Sequence, residues 1–181
     1  MNSEISSMDV YLEIAKESEL DRFKKDLQEA FRISAEKEFG HKLDEPIPSD
    51  SDIEESFRCQ GAVIYHVLLK DKIVGGAIIS INEETQHNKL LLFFVNTGCH
   101  DKGVGTTAWR AIEKKHPKTK LWETATPYFE KRNIHFYINK CGFKIVEYYN
   151  KYHPDPNQTV STITNEEDDD DMFRFEKSMD Q

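Results

Sequence analysis

The 181-residue chain predicts a single α/β domain built around a mixed sheet. Short alternating or apolar segments, typical of strands, interchange along the chain with segments whose apolar residues recur at helical spacing. Hydrophobic residues make up 38% and aromatic residues 11% of the chain, which is enough for a packed core. Because cores usually divide only beyond about 250 residues, we expect one domain over residues 1–181.

The predicted order of elements is β-α-α-β-β-β-α-β-α-β-β. Strands are predicted at residues 8–14, 62–69, 73–81, 88–95, 120–126, 143–149 and 172–178. Helices are predicted at residues 18–39 and 51–57, from residue 104 to the stop at Pro117, and at residues 130–140, and the polar stretch 150–171 is predicted to be a loop. The strand at residues 88–95 is apolar on both faces, so we expect it to be buried on both sides of the sheet.

Two predicted helix starts carry capping pairs. Ser18 with Asp21, and Ser51 with Glu54, have the spacing in which a serine caps the helix and an acid three residues later completes the pair. We therefore expect the first two helices to begin at these serines.

The chain carries a formal net charge of −9, and its acidic residues are unevenly distributed. Six of them are consecutive, from Glu166 to Asp171. The negative charge argues against nucleic acid as a partner, since such binding depends on Lys and Arg neutralising phosphates. This acidic run has two interpretations, a solvated loop or a surface that attracts a cationic ligand.

The sequence also indicates the compartment. The longest apolar run, glycine included, is seven residues at 73–79, whereas a membrane-spanning helix needs about 18, so no membrane partner is predicted. The N-terminal segment lacks the basic and apolar regions of a signal peptide. Cys59, Cys99 and Cys141 are odd in number and far apart, as expected of reduced thiols in a cytoplasmic protein. The histidines form no H-x-x-x-H pair, and no metal site is predicted.

A glycine-containing connection follows the apolar strand and opens the third helix with Gly103-Val-Gly105. Glycines at a helix start let the backbone approach a ligand, and the free amides and the helix dipole favour phosphate there. We therefore expect a phosphate or pyrophosphate near residues 102–107, where a side chain added at Gly105 would take its place. The alternative is a tight turn without a ligand, because many helices begin with glycine.

Two common phosphate-binding motifs fit this segment poorly. A P-loop would need Lys followed by Ser or Thr where Val104 follows Gly103. The dinucleotide fingerprint GxGxx(G/A) is met by Gly103, Gly105 and Ala108, with Glu123 as an acid further on. However, seven residues separate the strand from Gly103, and the single helix after Glu123 is too few for a doubly wound sheet.

The same segment resembles the acetyl-CoA-binding motif of the GNAT superfamily of N-acetyltransferases. In that motif a strand leads to (R/Q)-x-x-G-x-(G/A) at a helix start. Val95 ends the strand, Gly103 and Gly105 match the glycines, and His100 stands in the Arg/Gln place.

A second segment, residues 133–143, resembles the family sequence N-x-x-F-Y-x-K-x-G-F. The spacing from Asn133 to Tyr137 agrees, whereas one extra residue separates Tyr137 from Gly142. The order of elements matches over about residues 8–178. The resemblance implies a mostly antiparallel sheet of about seven strands flanked by about four helices, with acetyl-CoA as the cosubstrate.

In the family the strand before the glycine turn diverges from the next strand, and the pantetheine arm lies in the gap. Backbone groups of residues 95–97 would then pair with pantetheine, while the amides of residues 102–106 would hold the pyrophosphate. The cofactor-binding residues implied are Val95, Asn96, Thr97, His100, Lys102, Gly103, Val104, Gly105, Thr106 and Asn133.

The resemblance also implies direct attack of a primary amine on the thioester. Tyr137 stands in the family position of the acid that protonates the leaving thiolate, with a core aromatic contact as the alternative. Glu123 is the candidate base, because residues 90–95 carry no carboxylate, and pairing with a lysine is its alternative. Asn133 would orient Tyr137, contact CoA, or cap the helix.

The acceptor implied is a small-molecule or peptide amine, cationic if the acidic run attracts it, and a homodimer is compatible with the sequence. Two other classes stay open. One is a catalytically silent acyl-CoA-binding or regulatory module on the same fold. The other is an enzyme dependent on a nicotinamide dinucleotide.

Overall fold

The computed structural model describes residues 9–100, 103–157 and 171–179. Within these ranges seven strands form one sheet in the order β1-β2-β3-β4-β5-β7-β6. All neighbouring strands are antiparallel except β4 and β5, which are parallel, so the predicted mixed, mostly antiparallel sheet is confirmed. The strands are β1 Val10–Ile14, β2 Ala62–Leu69, β3 Lys72–Ser80, β4 His87–Val95, β5 Leu121–Pro127, β6 Lys144–Tyr149 and β7 Met172–Ser178.

Four α-helices flank the sheet in the described ranges. They are α1 Leu20–Phe39, α2 Asp50–Arg58, α3 Val104–Lys115 and α4 Lys131–His135. The last helix continues directly into a π-helical turn at Phe136–Lys140. None of these helices combines the length and apolar character needed to cross a membrane.

The helices lie on both faces of the sheet, and β4 is buried between them as predicted. On one face α1 and α2 cover β3 and β4, where Phe94 of β4 packs with Phe23 of α1 and Ile53 of α2. On the other face α3 and the segment around α4 enclose a larger cluster, which contains Phe93 of β4 and Trp109 of α3. Adjacent residues of one strand therefore serve two separate cores.

Both predicted capping pairs were wrong by a few residues. A short 3₁₀ helix at Glu17–Glu19 precedes α1, and the Glu19 carboxylate accepts a hydrogen bond from the Lys16 amide (2.8 Å). Helix α2 is capped by Ser49, whose Oγ accepts from the Asp52 amide (3.2 Å). Before α2, both Ser49 with Asp52 and Ser51 with Glu54 have the required spacing, and the sequence pattern alone does not choose between them. Before α1 the observed pair starts at Lys16, a residue type that the capping pattern does not include.

The acidic run lies outside the described residues except for Asp171, which precedes β7. Its carboxylate accepts a hydrogen bond from the Tyr148 hydroxyl, and its carbonyl accepts from the Tyr128 amide at 2.8 Å. The end of the run is therefore attached to the sheet next to β5 and β6.

Candidate active site

Strands β4 and β5 diverge after a short stretch of pairing, and the site lies where they part. They pair only from His87 with Leu121 to Lys89 with Glu123. A bulge at Leu91 then shifts the register of β4 against β3, and bulges bend the strand that carries them. Since β4 stays paired with β3 and β5 with β7, a wedge-shaped gap opens between their carboxyl ends.

The backbone edge that β4 turns towards this gap has no strand partner, so its polar groups are available to an extended ligand. The Val95 carbonyl receives a hydrogen bond from His100 Nε2 at 2.6 Å, which requires that nitrogen to carry the proton. The next residue is engaged within the connection, since the Asn96 amide donates to Val74 O (2.7 Å) and its carbonyl accepts from Cys99 N (2.8 Å). Thr97 begins the short 3₁₀ helix that follows.

The glycine turn presents unpaired amides, as predicted. Gly103 adopts a left-handed conformation (φ 75°) and offers no side chain to cap α3. The first intrahelical hydrogen bond runs from Thr107 N to Gly103 O (3.0 Å), so the three preceding amides, Val104 to Thr106, have no acceptor within the helix. They lie at a cavity of about 720 Å³, the glycine-turn cavity, which Val95, His100 and Asn133 also line. Lys102 lies outside the described residues.

Gly105 lies close to two aromatic rings. A β-carbon built there would lie 3.2 Å from the Phe136 ring and 3.8 Å from Phe93. These two rings are stacked, with centroids 5.5 Å apart and planes 5° from parallel. A side chain at Gly105 would therefore press on this aromatic pair, so the glycine lets α3 pack closely against it.

The glycine-turn cavity is also lined by cations that the motif analysis missed. Arg110, Arg132 and Lys140 contribute to its wall. Arg110 lies one turn beyond Thr106 on α3, and that spacing was the available sequence signal. The other two come from the α4 region, which only the tertiary fold brings next to the glycine turn. Free amides together with these cations suit a polyanionic ligand.

A second cavity of about 480 Å³, the strand-gap cavity, lies between β4 and β5 and contains both predicted catalytic residues. Tyr137 is 5% exposed. Burial raises the pKa of Tyr137 above its ordinary value, and a hydrogen bond with Thr124 partly opposes this shift. The phenol is therefore protonated throughout the neutral range and can act as a proton donor.

The extra residue between Tyr137 and Gly142 is accommodated by the π-helical turn. The Cys141 amide donates to Phe136 O at 3.0 Å, five residues back, and the Phe143 amide donates to Tyr137 O at 2.9 Å. A π-turn of this kind absorbs one inserted residue within a helix. Because the insertion is taken up beyond Tyr137, this side chain keeps its place beside Asn133 on the wall of the strand-gap cavity.

Glu123 lies in the same cavity but is ion-paired. Its carboxylate contacts Arg174 Nη1 at 3.0 Å and Lys89 Nζ at 3.5 Å. Arg174 also contacts Glu147 (3.1 Å) and Glu176 (2.5 Å), so it joins three carboxylates on neighbouring strands. The predicted alternative, pairing with a lysine, is thus present together with an arginine pair.

Asn133 lies inside α4, whose N-cap position is Glu130, so Asn133 does not cap this helix. It lines both cavities described above and a small cavity of about 70 Å³ between them, the junction cavity. Its amide is therefore available to ligands on either side of the gap.

Glu130 is a buried carboxylate that the sequence analysis passed over. It is 5% exposed, and its Oε2 accepts a hydrogen bond from Ser34 Oγ of α1 (3.1 Å). Burial and the neighbouring Glu38 raise its pKa, while the Ser34 hydrogen bond lowers it. In the sequence this residue is one glutamate at a helix start, and only its burial by α1 distinguishes it.

Comparison with known proteins identifies the class to which this fold and site belong. The model of the Acetyltransferase (GNAT) family matches residues 20–143, more than half of the chain, so the chain belongs to that family. It is therefore a GNAT acetyltransferase. It is 54% identical over 173 residues, 94% of each chain, to "Uncharacterized protein YrkN" of Bacillus subtilis (strain 168).

Solved structures show the same fold at low sequence identity. A Bacillus subtilis acetyltransferase in complex with CoA has a TM-score of 0.64 at 20% identity, covering 94% of this chain and 99% of that one. An IAA acetyltransferase from Bacillus cereus ATCC 14579 has a TM-score of 0.65 at 16% identity and the same coverage. A GNAT family acetyltransferase from Elizabethkingia anophelis with acetyl-CoA bound has a TM-score of 0.64 at 13% identity, again covering 94% and 99%.

Proposed function

We propose that this GNAT acetyltransferase transfers the acetyl group of acetyl-CoA to a primary amine by direct attack. The observation that carries the proposal is the position of Tyr137, a buried phenol in the gap between β4 and β5. The strand-gap cavity lies in this gap, and it shares Phe93 and Asn133 in its walls with the glycine-turn cavity. A donor bound in one cavity and an acceptor bound in the other would therefore meet beside Tyr137.

The residues present fit acetyl-CoA. The amides of Val104, Gly105 and Thr106 would hold the pyrophosphate, and the cations Arg110 and Lys140 would neutralise phosphate charge. The unpaired edge of β4 would pair with the pantetheine arm, whereas the Val95 carbonyl and the backbone groups of Asn96 already have partners within the protein. When bound, acetyl-CoA supplies the activated acetyl group as a thioester.

The catalytic chemistry assigned to this chain is proton transfer. Tyr137 would donate its proton to the departing sulfur, since the phenol is held protonated by burial. Asn133, four residues earlier on the same helical segment, would orient the thioester or the tyrosine.

Two measurements test the proposal in sequence. Calorimetric titration of the full chain with CoA should give a saturable binding isotherm, and NAD(H) should give no thermal stabilisation. Incubation with acetyl-CoA and a library of primary amines should then give products heavier by one acetyl group in mass spectra. CoA binding without thiol release on any amine would instead indicate a catalytically silent acyl-CoA-binding module.

A further inference from the structure

The walls of the strand-gap cavity are informative about the acceptor. Its volume of about 480 Å³ is within the range of small-molecule sites, and its exposed lining is mostly apolar. The apolar side chains come from α1, the loop before α2 and the segment after β5, and they include Phe31, Ile47, Pro48 and Phe129. A molecule that fills this space must present a sizeable apolar surface.

Four carboxylates also line this cavity, and three of them are already engaged. Asp52 accepts hydrogen bonds from Ser49 at the start of α2. Asp155 accepts the Asn157 amide at 2.8 Å within its own turn. Glu123 is held by the cations described above. Glu130 is the exception, because it is buried (5% exposed) and, among the described residues, its hydrogen-bond partner is the neutral Ser34 hydroxyl, whereas Asp52 is exposed and Asp155 is partly exposed.

Glu130 also occupies the position that joins the cavities. It lines the strand-gap cavity and the junction cavity, and the latter is lined as well by Val95 and His100 at the end of β4. Glu130 and Tyr137 both line the strand-gap cavity, and the charge of Glu130 is one of the influences that raise the pKa of Tyr137. A buried carboxylate without a cation is costly, and an ammonium ion bound against it would remove that cost.

From this arrangement we infer that the acceptor is a primary amine with an apolar body, and that Glu130 binds its ammonium group and accepts its proton. This inference rests on the proposed acetyl transfer and names the acceptor class and the base. The apolar body lies against Phe31 and Phe129, while the nitrogen is directed to the buried end of the cavity. Glu123, with two cations on its carboxylate, stays a structural ion-pair partner.

The proton balance of this assignment is complete. Glu130 takes one proton from the ammonium group, and the freed lone pair forms a bond to the thioester carbonyl carbon. The carbon–sulfur bond breaks, Tyr137 gives its proton to the sulfur, and Tyr137 regains one from the nitrogen. Glu130 then releases its proton to water. The ammonium and acetyl-CoA have become an amide, the CoA thiol and one free proton.

The elevated pKa of Glu130 suits this role, because a base works best when its pKa approaches the working pH. Its charged and titratable surroundings decide the pH dependence. The charged and titratable groups that share its cavities or influence its pKa are Glu38 of α1, Arg132 of α4, Tyr137 of the π-turn, His100 after β4, and, in the strand-gap cavity, Asp52, Lys89, Glu123, Tyr149, Asp155 and Arg174.

The test uses 2-phenylethylamine as the probe, titrated calorimetrically into the CoA-saturated enzyme. We expect saturable binding to wild type, at least ~10-fold weaker binding to Glu130→Gln, and unchanged binding to Glu29→Gln, a matched charge change on the surface of α1. Ethanolamine, which lacks the apolar body, and 2-phenylethanol, which lacks the amine, should both bind at least ~10-fold more weakly than the probe. CoA affinity, measured separately, should be the same in all three proteins.

Kinetics with the same probe provide a second readout. Thiol release should show kcat/KM rising with pH along a limb that is absent in Glu130→Gln, and Ser34→Ala should move the limb to higher pH. If 2-phenylethylamine does not bind although CoA does, the acceptor class is wrong. If Glu123→Gln removes the limb and Glu130→Gln keeps it, the base is Glu123. If the wild-type protein does not bind CoA, both the proposed function and this inference are wrong.

Discussion

The hydroxyl of Thr124 on β5 donates a hydrogen bond of 2.9 Å to the carbonyl of Leu90 on β4. These residues occupy the position directly after the last backbone pair between the two strands, Lys89 with Glu123. A hydrogen bond from a side chain thus joins β4 and β5 directly after their last backbone pair, and the gap between the strands begins beyond this contact.

Replacing Thr124 by Val should therefore destabilise the fold by about 1–3 kcal/mol, because a buried carbonyl loses its donor. Thr126→Val is the matched control, since Thr126 is two residues further on β5 and equally buried (3% against 4% exposed). Among the described residues, no side-chain hydrogen bond involves Thr126, so its replacement should change stability by less than about 0.5 kcal/mol. Urea unfolding of both variants measures the difference, and equal losses would contradict the role of Thr124.

Removing the hydroxyl of Tyr137 should affect catalysis and leave binding intact. Tyr137→Phe keeps the ring packed on Phe143 and Phe175, so near-native stability and acetyl-CoA affinity are expected. The value of kcat should fall about 10²-fold or more, the usual scale for a positioned acid. Tyr65→Phe is the control, since it removes a buried hydroxyl bound to His116 (3.0 Å) outside the site and should leave kcat unchanged. A kcat for Tyr137→Phe within about twofold of wild type would assign Tyr137 to the core alone.

Phosphate binding at the unpaired amides that begin α3 can be tested with a substitution that has opposite effects on folding and on CoA binding. Thr106 is the third residue of α3. Thr106→Asp should stabilise that helix by about 0.3–1 kcal/mol through the helix dipole, because the added charge is negative. The same charge should repel phosphate and weaken CoA binding at least ~10-fold, about 1.4 kcal/mol. The neutral isostere Thr106→Asn should bind CoA nearly as wild type does. Thermal melts measure the change in stability and calorimetry measures the CoA affinity. Unchanged CoA affinity in the Asp variant would contradict phosphate binding at these amides.

The dependence of stability on pH should differ between variants of Glu130 and of Glu123, the two acidic side chains considered for the base. The pKa of Glu130 is raised by burial above its ordinary 4.5, so the folded protein holds this proton more tightly than the unfolded chain. This tighter proton binding stabilises the folded protein. The contribution is fully present below pH 4.5 and is lost as pH rises through the raised pKa of Glu130. Glu130→Gln should therefore match wild type at low pH and exceed its stability at pH 8.

Glu123→Gln should be less stable than wild type at neutral pH, in contrast to Glu130→Gln. It removes the ion pairs with Arg174 and Lys89, which should cost about 0–1 kcal/mol because the side chain is 29% exposed. Chemical unfolding at several pH values compares both variants with wild type. A Glu130→Gln protein less stable than wild type at pH 8 would contradict the burial of an unpaired carboxylate.

The acidic run is expected to act only on a cationic acceptor. Replacing Asp168, Asp169 and Asp170 by Asn should raise the KM of such an acceptor and flatten its dependence on salt, since long-range attraction is screened within about 8–10 Å. Asp171 is kept, because its contacts attach the segment to the sheet. The affinity for acetyl-CoA should not change. A KM that is the same at low and high salt would identify the run as a solvated loop.

Much of the fold followed from local sequence patterns. Alternation and helical spacing located the seven strands and four helices of the described residues, since burial of one face imposes its period on the residues themselves. The glycine turn was equally readable, because Gly103 meets a backbone requirement that the local sequence carries. The predicted starts of the helices were less accurate. Helix α2 is capped by Ser49 and not by Ser51, because the path of the chain before a helix decides which of several polar residues can cap it.

The sequence by itself determined the class of the fold, the family and the position of the glycine turn. It also determined Tyr137 as the candidate acid, because motif and spacing are properties of neighbouring residues. Only the tertiary structure decided that Glu123 is ion-paired and that Glu130 is buried beneath α1. The same holds for Gly105, whose neighbour Phe136 is 31 positions away in the chain. The physical reason is that the charge state and burial of a side chain depend on groups distant in sequence, and the local pattern of apolar and polar residues contains no information about those groups.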